Sequence, residues 1–279
     1  MRYERYRDTV GFAAETLEIL LEDEVQNNLP ISFAMDESAD AKDWFLASVK
    51  DEDGGIALTA VWTGLPYRIV MYETRNAAND AAVQLLSNEL KSLGLPLPGV
   101  MAEQSLARRF AEAYAGAGGF QHQMSINIMR LDKVADFPRA PGHSRLLREE
   151  DLYFIPYWER IFQEECHIEV FDIPGNVKRV IDHLGKDIHY IWEDGCPVSQ
   201  NYNERCTPNG AAISGVYTPP QYRGKGYASS VVADLSQTLL DRGYKFCYLF
   251  ADASNPVSCG IYRNIGYYDY CCYDGFAFN

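Results

Sequence analysis

The stretch Gly215-Val-Tyr-Thr-Pro-Pro-Gln221-Tyr-Arg-Gly224-Lys-Gly226-Tyr-Ala228 holds the residues best suited to chemistry in this sequence. Gly224 and Gly226 let the backbone curl where a Cβ would clash. A curled loop that runs into a helix aims unpaired N–H groups at the space before the helix, where the dipole is positive. Phosphate oxygens bind well in such a space. Arg223 and Lys225 add positive charge to the same loop. The bland alternative is an ordinary glycine-rich turn. The P-loop pattern GxxxxGK[ST] is absent. A dinucleotide fingerprint needs its first glycine close to a strand end and several βα units downstream. Here Thr218–Arg223 intervene and only residues 227–279 follow, so a nicotinamide cofactor is not expected.

Other reactive residues do not assemble by spacing. All seven cysteines (Cys166, Cys196, Cys206, Cys247, Cys259, Cys271 and Cys272) lie in the second half, and no pair has C-x-x-C spacing. The vicinal Cys271 and Cys272 alternate faces on a strand, which argues against joint chelation. No metal site is expected, and reduced thiols are the simplest reading. His143, His167, His183 and His189 stand apart and fit linker or helix-surface roles. No Ser/His/Asp or Cys/His arrangement emerges. A general base is not legible: Glu193 in a turn, Glu204 after a strand, and a water held by backbone groups all stay open.

The elements that must position these residues follow from periodicity. In the second half, 152–166 and 174–184 read as helices, with Pro174 near the start of the second. Residues 189–192 and 198–203 read as a hairpin closed by Glu193-Asp194-Gly195. A strand at 211–218 ends at Pro219-Pro220, and a helix at 226–242 buries Val231, Val232, Leu235, Leu239 and Leu240. Residues 246–251 form an apolar interior strand, 255–264 a short helix before Gly266, and 267–278 one or two closing strands. In the first half, a helix is expected at 9–25, a mixed segment at 31–49, strands at 56–62 and 67–72, a helix at 76–93, a short apolar stretch at 97–101, a helix at 105–114 and a strand at 123–131.

The two halves share the order strand, strand, helix, strand, helix, strand. Between them, residues 136–143 hold two prolines and a glycine and read as a boundary. The chain is expected to be an α/β (α+β) protein with domains at 1–138 and 139–279, a duplicated fold whose identities have drifted.

Composition bounds the partners. The chain has 279 residues, 47% hydrophobic and 23% charged, with net charge −14. Both halves are acidic, so neither offers the basic field that nucleic acid or an anionic membrane needs. No apolar run is long enough for a spanning helix. The charged start MRYERYRDTV has no apolar core of a secretory signal, so a cytoplasmic protein is expected. Acidity slightly favours cationic acceptors.

Two motifs carry a family resemblance. Gln221-x-x-Gly224-x-Gly226 resembles the acyl-CoA pyrophosphate loop, Q/R-x-x-G-x-G/A, of the GNAT N-acetyltransferase superfamily. Asn255-Pro-x-Ser258-x-x-x-Tyr262-x-x-x-Gly266-Tyr267 looks like its second motif, with Tyr267 where Phe is usual. The resemblance covers residues 140–279 and is only architectural over 1–139. The first-half counterpart of the loop, Thr74–Asp80, has no glycine and an acid near the helix start.

The resemblance implies two tandem GNAT-like domains, each a mixed central sheet flanked by helices, with acetyl-CoA as cosubstrate of the second. The strand before the loop would splay from the next, and the backbone of Val216, Tyr217 and Thr218 would pair with the pantetheine arm. The pyrophosphate would sit on Gln221, Tyr222 and the amides of Arg223, Gly224, Lys225, Gly226, Tyr227 and Ala228. Asn255 and Ser258 would contact the pantetheine region, and Tyr262 would protonate the leaving thiolate. The amide of Tyr217 would stabilise the oxyanion.

The implied reaction is acetyl transfer to a primary amine of a small molecule or peptide, with the first half a degenerate copy that shapes or covers the site. The alternatives are transfer of a larger acyl group, and a CoA-binding sensor without turnover. A homodimer stays open.

Overall fold

A computed structural model describes residues 1–36, 41–74 and 79–279. The chain packs as two compact units, Met1–Ile128 with Tyr270–Asn279, and Met129–Asp269. The compact units therefore divide at 128/129, ahead of the proline-rich linker.

The first unit contains β1 (Arg2–Tyr6), α1 (Thr9–Leu21), α2 (Asn28–Ala34), β2 (Phe45–Lys50), β3 (Ile56–Trp62), β4 (Ile69–Glu73), α3 (Asp80–Leu93), β5 (Gly99–Glu103), α4 (Gln104–Ala115) and most of β6 (Phe120–Leu131). It also takes Tyr270 onward from β13 (Tyr268–Phe278). Its sheet runs β1-β2-β3-β4-β5-β13-β6. Alternation decides what each face meets. Leu46, Val61 and Tyr72 join Phe12, Leu20 and Ile31 on one side. Phe45, Ala47, Met71 and Val100 join Leu86, Leu90, Leu106 and Phe110 on the other.

Two features differ from the sequence reading, and burial on both faces explains the first. The mixed segment 31–49 contains β2, whose six residues are all buried and so show no alternation. The helix expected to run to residue 25 stops at Leu21, and a second helix begins at Asn28.

The second unit begins with the last residues of β6, of which Met129 and Leu131 enter its core. It continues with β7 (His143–Leu146), a 3₁₀ turn at Glu149–Tyr153, α5 (Ile155–Glu165), α6 (Ile173–His183), β8 (His189–Glu193), β9 (Pro197–Tyr202), β10 (Gly210–Ala212), β11 (Ser214–Tyr217), α7 (Tyr227–Asp241), β12 (Phe246–Asp252) and α8 (Pro256–Ile265). Four of the five residues expected on the buried side of α7, Val231, Val232, Leu235 and Leu239, pack against Cys247, Leu249 and Ala251 of β12, while Leu240 is only half-buried.

One expected element is split and another is reassigned. The strand expected at 211–218 is two strands, β10 and β11. The closing strand expected for the second copy is β13, but from Tyr273 it pairs antiparallel with β5 of the first unit, Tyr273 opposite Glu103. Among the described residues, no helix is long and apolar enough to cross a membrane.

Candidate functional site

The split between β10 and β11 creates the site. β10 runs parallel to β12, Gly210 opposite Phe246 and Ala212 opposite Tyr248. The Ile213 amide then donates to the Tyr248 carbonyl at 2.8 Å. From Ser214 the chain changes partner. β11 pairs antiparallel with β9, Ser214 opposite Tyr202 and Tyr217 opposite Gln200, with an irregular register between. β11 is therefore the edge of a four-stranded sheet, β11-β9-β8-β7, while β10 stays beside β12 in the other sheet.

Gly215 makes the turn possible. Its φ is +58°, and a Cβ there would stand 1.9 Å from the Tyr202 ring. Only glycine meets both demands.

The loop after β11 is built as its residue types suggest. Residues Pro220–Tyr222 form a 3₁₀ turn, and Gly226 is the left-handed N-cap of α7, with φ +82°. Gly224 has φ +76°. Gly226 offers no side chain to cap the start of α7, whose first amides have no partner within the helix. The loop is braced from the β8–β9 hairpin, where Asp194 accepts from the Tyr227 hydroxyl at 2.5 Å and Cys196 Sγ lies 3.5 Å from the Tyr222 hydroxyl. Ser199 Oγ bonds Thr218 Oγ1 at 2.8 Å.

The two loop cations differ from each other. Arg223 donates to the Thr218 carbonyl at 2.8 Å and to both oxygens of Glu165 at 2.8 and 2.9 Å, so its charge is offset. Lys225 lies over the Tyr222 ring, 5.9 Å from its centre.

Asn255 caps α8, accepting the Ser258 amide at 3.1 Å. Tyr262 sits two turns on, 8% exposed, edge-on to Tyr267 at 6.1 Å. Burial, with the Cys166 and Cys259 thiols nearby, raises its phenol above the ordinary range, so the hydroxyl keeps its proton. Cys166 itself, at the end of α5, is pushed up to about 11 by burial and by Glu165, Asp252 and Glu159. Its surroundings disfavour the thiolate.

The two carboxylates considered as bases are both tied up. Glu193 accepts from Arg145 Nε at 2.5 Å, and that guanidinium holds it below the usual carboxylate range. Such a group is a poor proton acceptor near neutrality. Glu204 pairs with Arg179 at 3.2 Å.

The carboxylate that sequence reasoning missed is Glu159 on α5. It is 3% exposed. Its Oε1 accepts from Gln200 Nε2, and its Oε2 from the Tyr202 hydroxyl at 3.2 Å. Burial raises it to about 7, against the lowering effect of those two hydrogen bonds. Its neighbour on α5, Trp158, contacts the Tyr217 ring at 5.9 Å.

His183 and His189, read as separate surface residues, in fact meet. Their Nδ1 atoms are 3.1 Å apart, and both rings contact Tyr202. His189 is fully buried, and burial takes it down to about 3, so it is neutral. An open groove of about 740 Å³, lined by Glu149, Glu150, Leu152, Tyr153, Ile181 and Leu184, lies by the opposite end of α5 from Glu165.

Glu73, ending β4, accepts the Asn79 amide at 2.7 Å at the start of α3, and Arg109 binds both Glu73 and Asp80. Part of the counterpart stretch, residues 75–78, falls outside the described residues.

Comparison with known proteins identifies the fold. Residues 195–273 match the profile of the FR47-like protein family. The fold is that of GNAT acetyltransferases. An acetyltransferase of the GNAT family from Colwellia psychrerythraea shares 10% identity over the whole of both chains, with TM-score 0.65. A GCN5-related N-acetyltransferase from Sphaerobacter thermophilus shares 16% identity over 98% of this chain and 94% of its own, with TM-score 0.64. A tandem GNAT protein from the clavulanic acid biosynthesis pathway shares 10% identity over 99% of this chain and 97% of its own, with TM-score 0.60. At these identities the likeness is one of fold. No curated protein sequence gives a significant match.

Proposed function

We propose that the second unit binds acetyl-CoA and moves its acetyl group to a primary amine by direct attack in a ternary complex. The observation that carries this reading is the pairing change at Ile213–Ser214. It leaves β11 as a free strand edge that leads straight into an uncapped helix N-terminus behind two left-handed glycines. An elongated ligand with amide groups along its length and a pyrophosphate at one end matches that order of donors. The loop around Gln221, the Tyr222 backbone and the amides of Arg223 to Ala228 hold the pyrophosphate. Val216, Tyr217 and Thr218 offer backbone partners to the pantetheine arm. Asn255 uses its side-chain oxygen on Ser258 and keeps its NH₂ for the same arm.

The chemistry needs three services. The Tyr217 N–H donates to the oxygen on which charge develops as nitrogen attacks the thioester carbon. The Tyr262 hydroxyl, held protonated by burial, supplies a proton to the departing thiolate. The amine must first lose a proton, because an ammonium has no free electron pair. The first unit serves as a non-binding copy, since Glu73 already neutralises the start of α3.

The test is release of free thiol from acetyl-CoA across a panel of polyamines, aminoglycosides, amino acids and peptides, with the product identified by mass. Release with an acetylated amine supports the reading. Tight acetyl-CoA binding without release across the panel favours a sensor instead, and a different mass increment favours a larger acyl group.

A further inference from the structure

Glu159 is held beside β11, the strand that the acetyl-transfer reading sets against the thioester. Gln200 stands opposite Tyr217 in the β9–β11 ladder, and its Nε2 donates both to Glu159 and to the Gly215 carbonyl at 3.4 Å. The Tyr202 ring fills the space beside Gly215, and its hydroxyl ends on Glu159. One carboxylate is thus pinned, by two side chains of β9, against residues 215–217 of β11. Each carboxylate oxygen accepts one hydrogen bond here and has capacity for another.

We propose that Glu159 is the general base that takes the first proton from the acceptor amine, and that Gln200 and Tyr202 are its positioning residues. This rests on the acetyl-transfer reading above. The amine arrives as an ammonium, and one proton passes from its nitrogen to Glu159, directly or across one water. The nitrogen lone pair forms the C–N bond, and the C–S bond breaks as the tetrahedral adduct collapses. The second proton leaves nitrogen and ends on the CoA thiolate by way of the Tyr262 hydroxyl. The products are an amide, a thiol and a protonated Glu159, which returns its proton to solvent.

The surroundings favour a neutral-range base. Tyr202 and Gln200 of β9 hold the carboxylate. Arg179 of α6 favours its charged form, while Glu204 disfavours it. His189 of β8 and His183 of α6 flank Tyr202, and burial lowers the affinity of both for a proton. Burial dominates, and an acceptor near 7 is well matched to physiological pH.

The test is kcat/KM against pH for the full chain, with acetyl-CoA and the best amine of the panel, comparing wild type with Glu159→Gln and Tyr202→Phe. The wild-type rate is expected to rise with pH through about 7. Glu159→Gln should lose that limb and roughly 100-fold or more of kcat/KM at pH 8, with acetyl-CoA affinity measured by calorimetry unchanged. Tyr202→Phe removes a hydrogen bond that favours the charged form, so its limb should move to higher pH. A limb at the same pH in Tyr202→Phe, or a Glu159→Gln enzyme that retains the limb, overturns the assignment and leaves acetyl transfer standing. If Glu159→Gln does not fold, the position of the Tyr202→Phe limb decides alone. Absence of turnover by the wild type with every amine overturns the assignment together with the reading it rests on.

Discussion

Glu165, the last residue of α5, holds Arg223 of the glycine loop through one guanidinium nitrogen, at 2.8 and 2.9 Å from its two oxygens. The helix that carries Glu159 is therefore also tied to the loop that leads into α7. The pair is about half exposed, so it contributes at most about 1 kcal/mol to stability. Its larger effect is on charge, because it occupies a cation at the proposed phosphate site. Glu165→Gln should free Arg223 and tighten acetyl-CoA binding roughly two- to fivefold at low salt. The gain should shrink as salt rises, and the melting temperature should barely move. Calorimetric titration at two ionic strengths checks this; weaker binding would show that Glu165 orients Arg223 rather than competing for it.

Gly226 separates a backbone requirement from a ligand requirement. Its φ of +82° disfavours any other residue, yet the nearest atom to an added Cβ is Ala140 Cβ at 3.8 Å. Gly226→Ala should therefore fold, at a cost of roughly 1–2 kcal/mol from the left-handed backbone alone. Gly226→Asp and Gly224→Asp add a like charge before the start of α7 and should abolish acetyl-CoA binding. Acetyl-CoA affinity retained in the aspartate variants would refute the loop's assignment.

How much of this was legible in the sequence follows from how local each feature is. The loop at 221–228 and the 255–267 motif carry their geometry in adjacent residues: glycines with positive φ, an Asn that caps its own helix, a tyrosine two turns on. Glu159 was not legible. Its partners Gln200 and Tyr202 lie 41 and 43 residues away, and nothing in the 152–166 pattern distinguishes a buried Glu from the exposed Glu164. The same holds for β13, whose partner β5 lies about 170 residues earlier and whose alternation is indifferent to which edge it joins. Gly215 was the available local signal for the break at 213–214, a glycine inside an otherwise apolar strand.

Tyr262→Phe should lower kcat about 10-fold or more, with little change in KM, because the hydroxyl is proposed to act only as the thiolate departs. The ring stays in place against Tyr267, so the fold should be preserved. Thiol-release kinetics at saturating acetyl-CoA are the measurement. Unchanged turnover would leave Tyr262 as a packing residue.

Gly215→Ala tests whether the turn of β11 and the seating of Glu159 are one device. The added methyl would meet the Tyr202 ring at 1.9 Å and take a left-handed backbone. Strain and overpacking together should cost about 2–4 kcal/mol. Relief requires Tyr202 to move, and that withdraws its hydroxyl from Glu159. The variant should thus lose stability and also shift the pH–rate limb upward, as Tyr202→Phe does. Denaturant unfolding combined with a pH–rate profile separates the two effects; lost stability with an unmoved limb would uncouple them.

Glu159 should also leave a mark on stability that has the opposite sign to its mark on activity. Its carboxyl is raised from 4.5 to about 7 in the folded chain, so the folded state binds the proton more tightly than the unfolded state does. Stability from this group is then fully present below about pH 4.5 and is lost as pH rises through about 7. Above that pH the fold carries a buried, incompletely compensated negative charge. Glu159→Gln keeps the shape, still accepts from Gln200 and can donate to the Tyr202 oxygen, but it never ionises. Relative to wild type it should gain stability between pH 5 and pH 8, on the order of 3 kcal/mol in total, while losing most of its turnover over the same range. Urea midpoints for the two proteins across that range give the difference directly. A difference that stays flat with pH would mean that Glu159 ionises as an ordinary surface carboxylate, and the base assignment would fall with it.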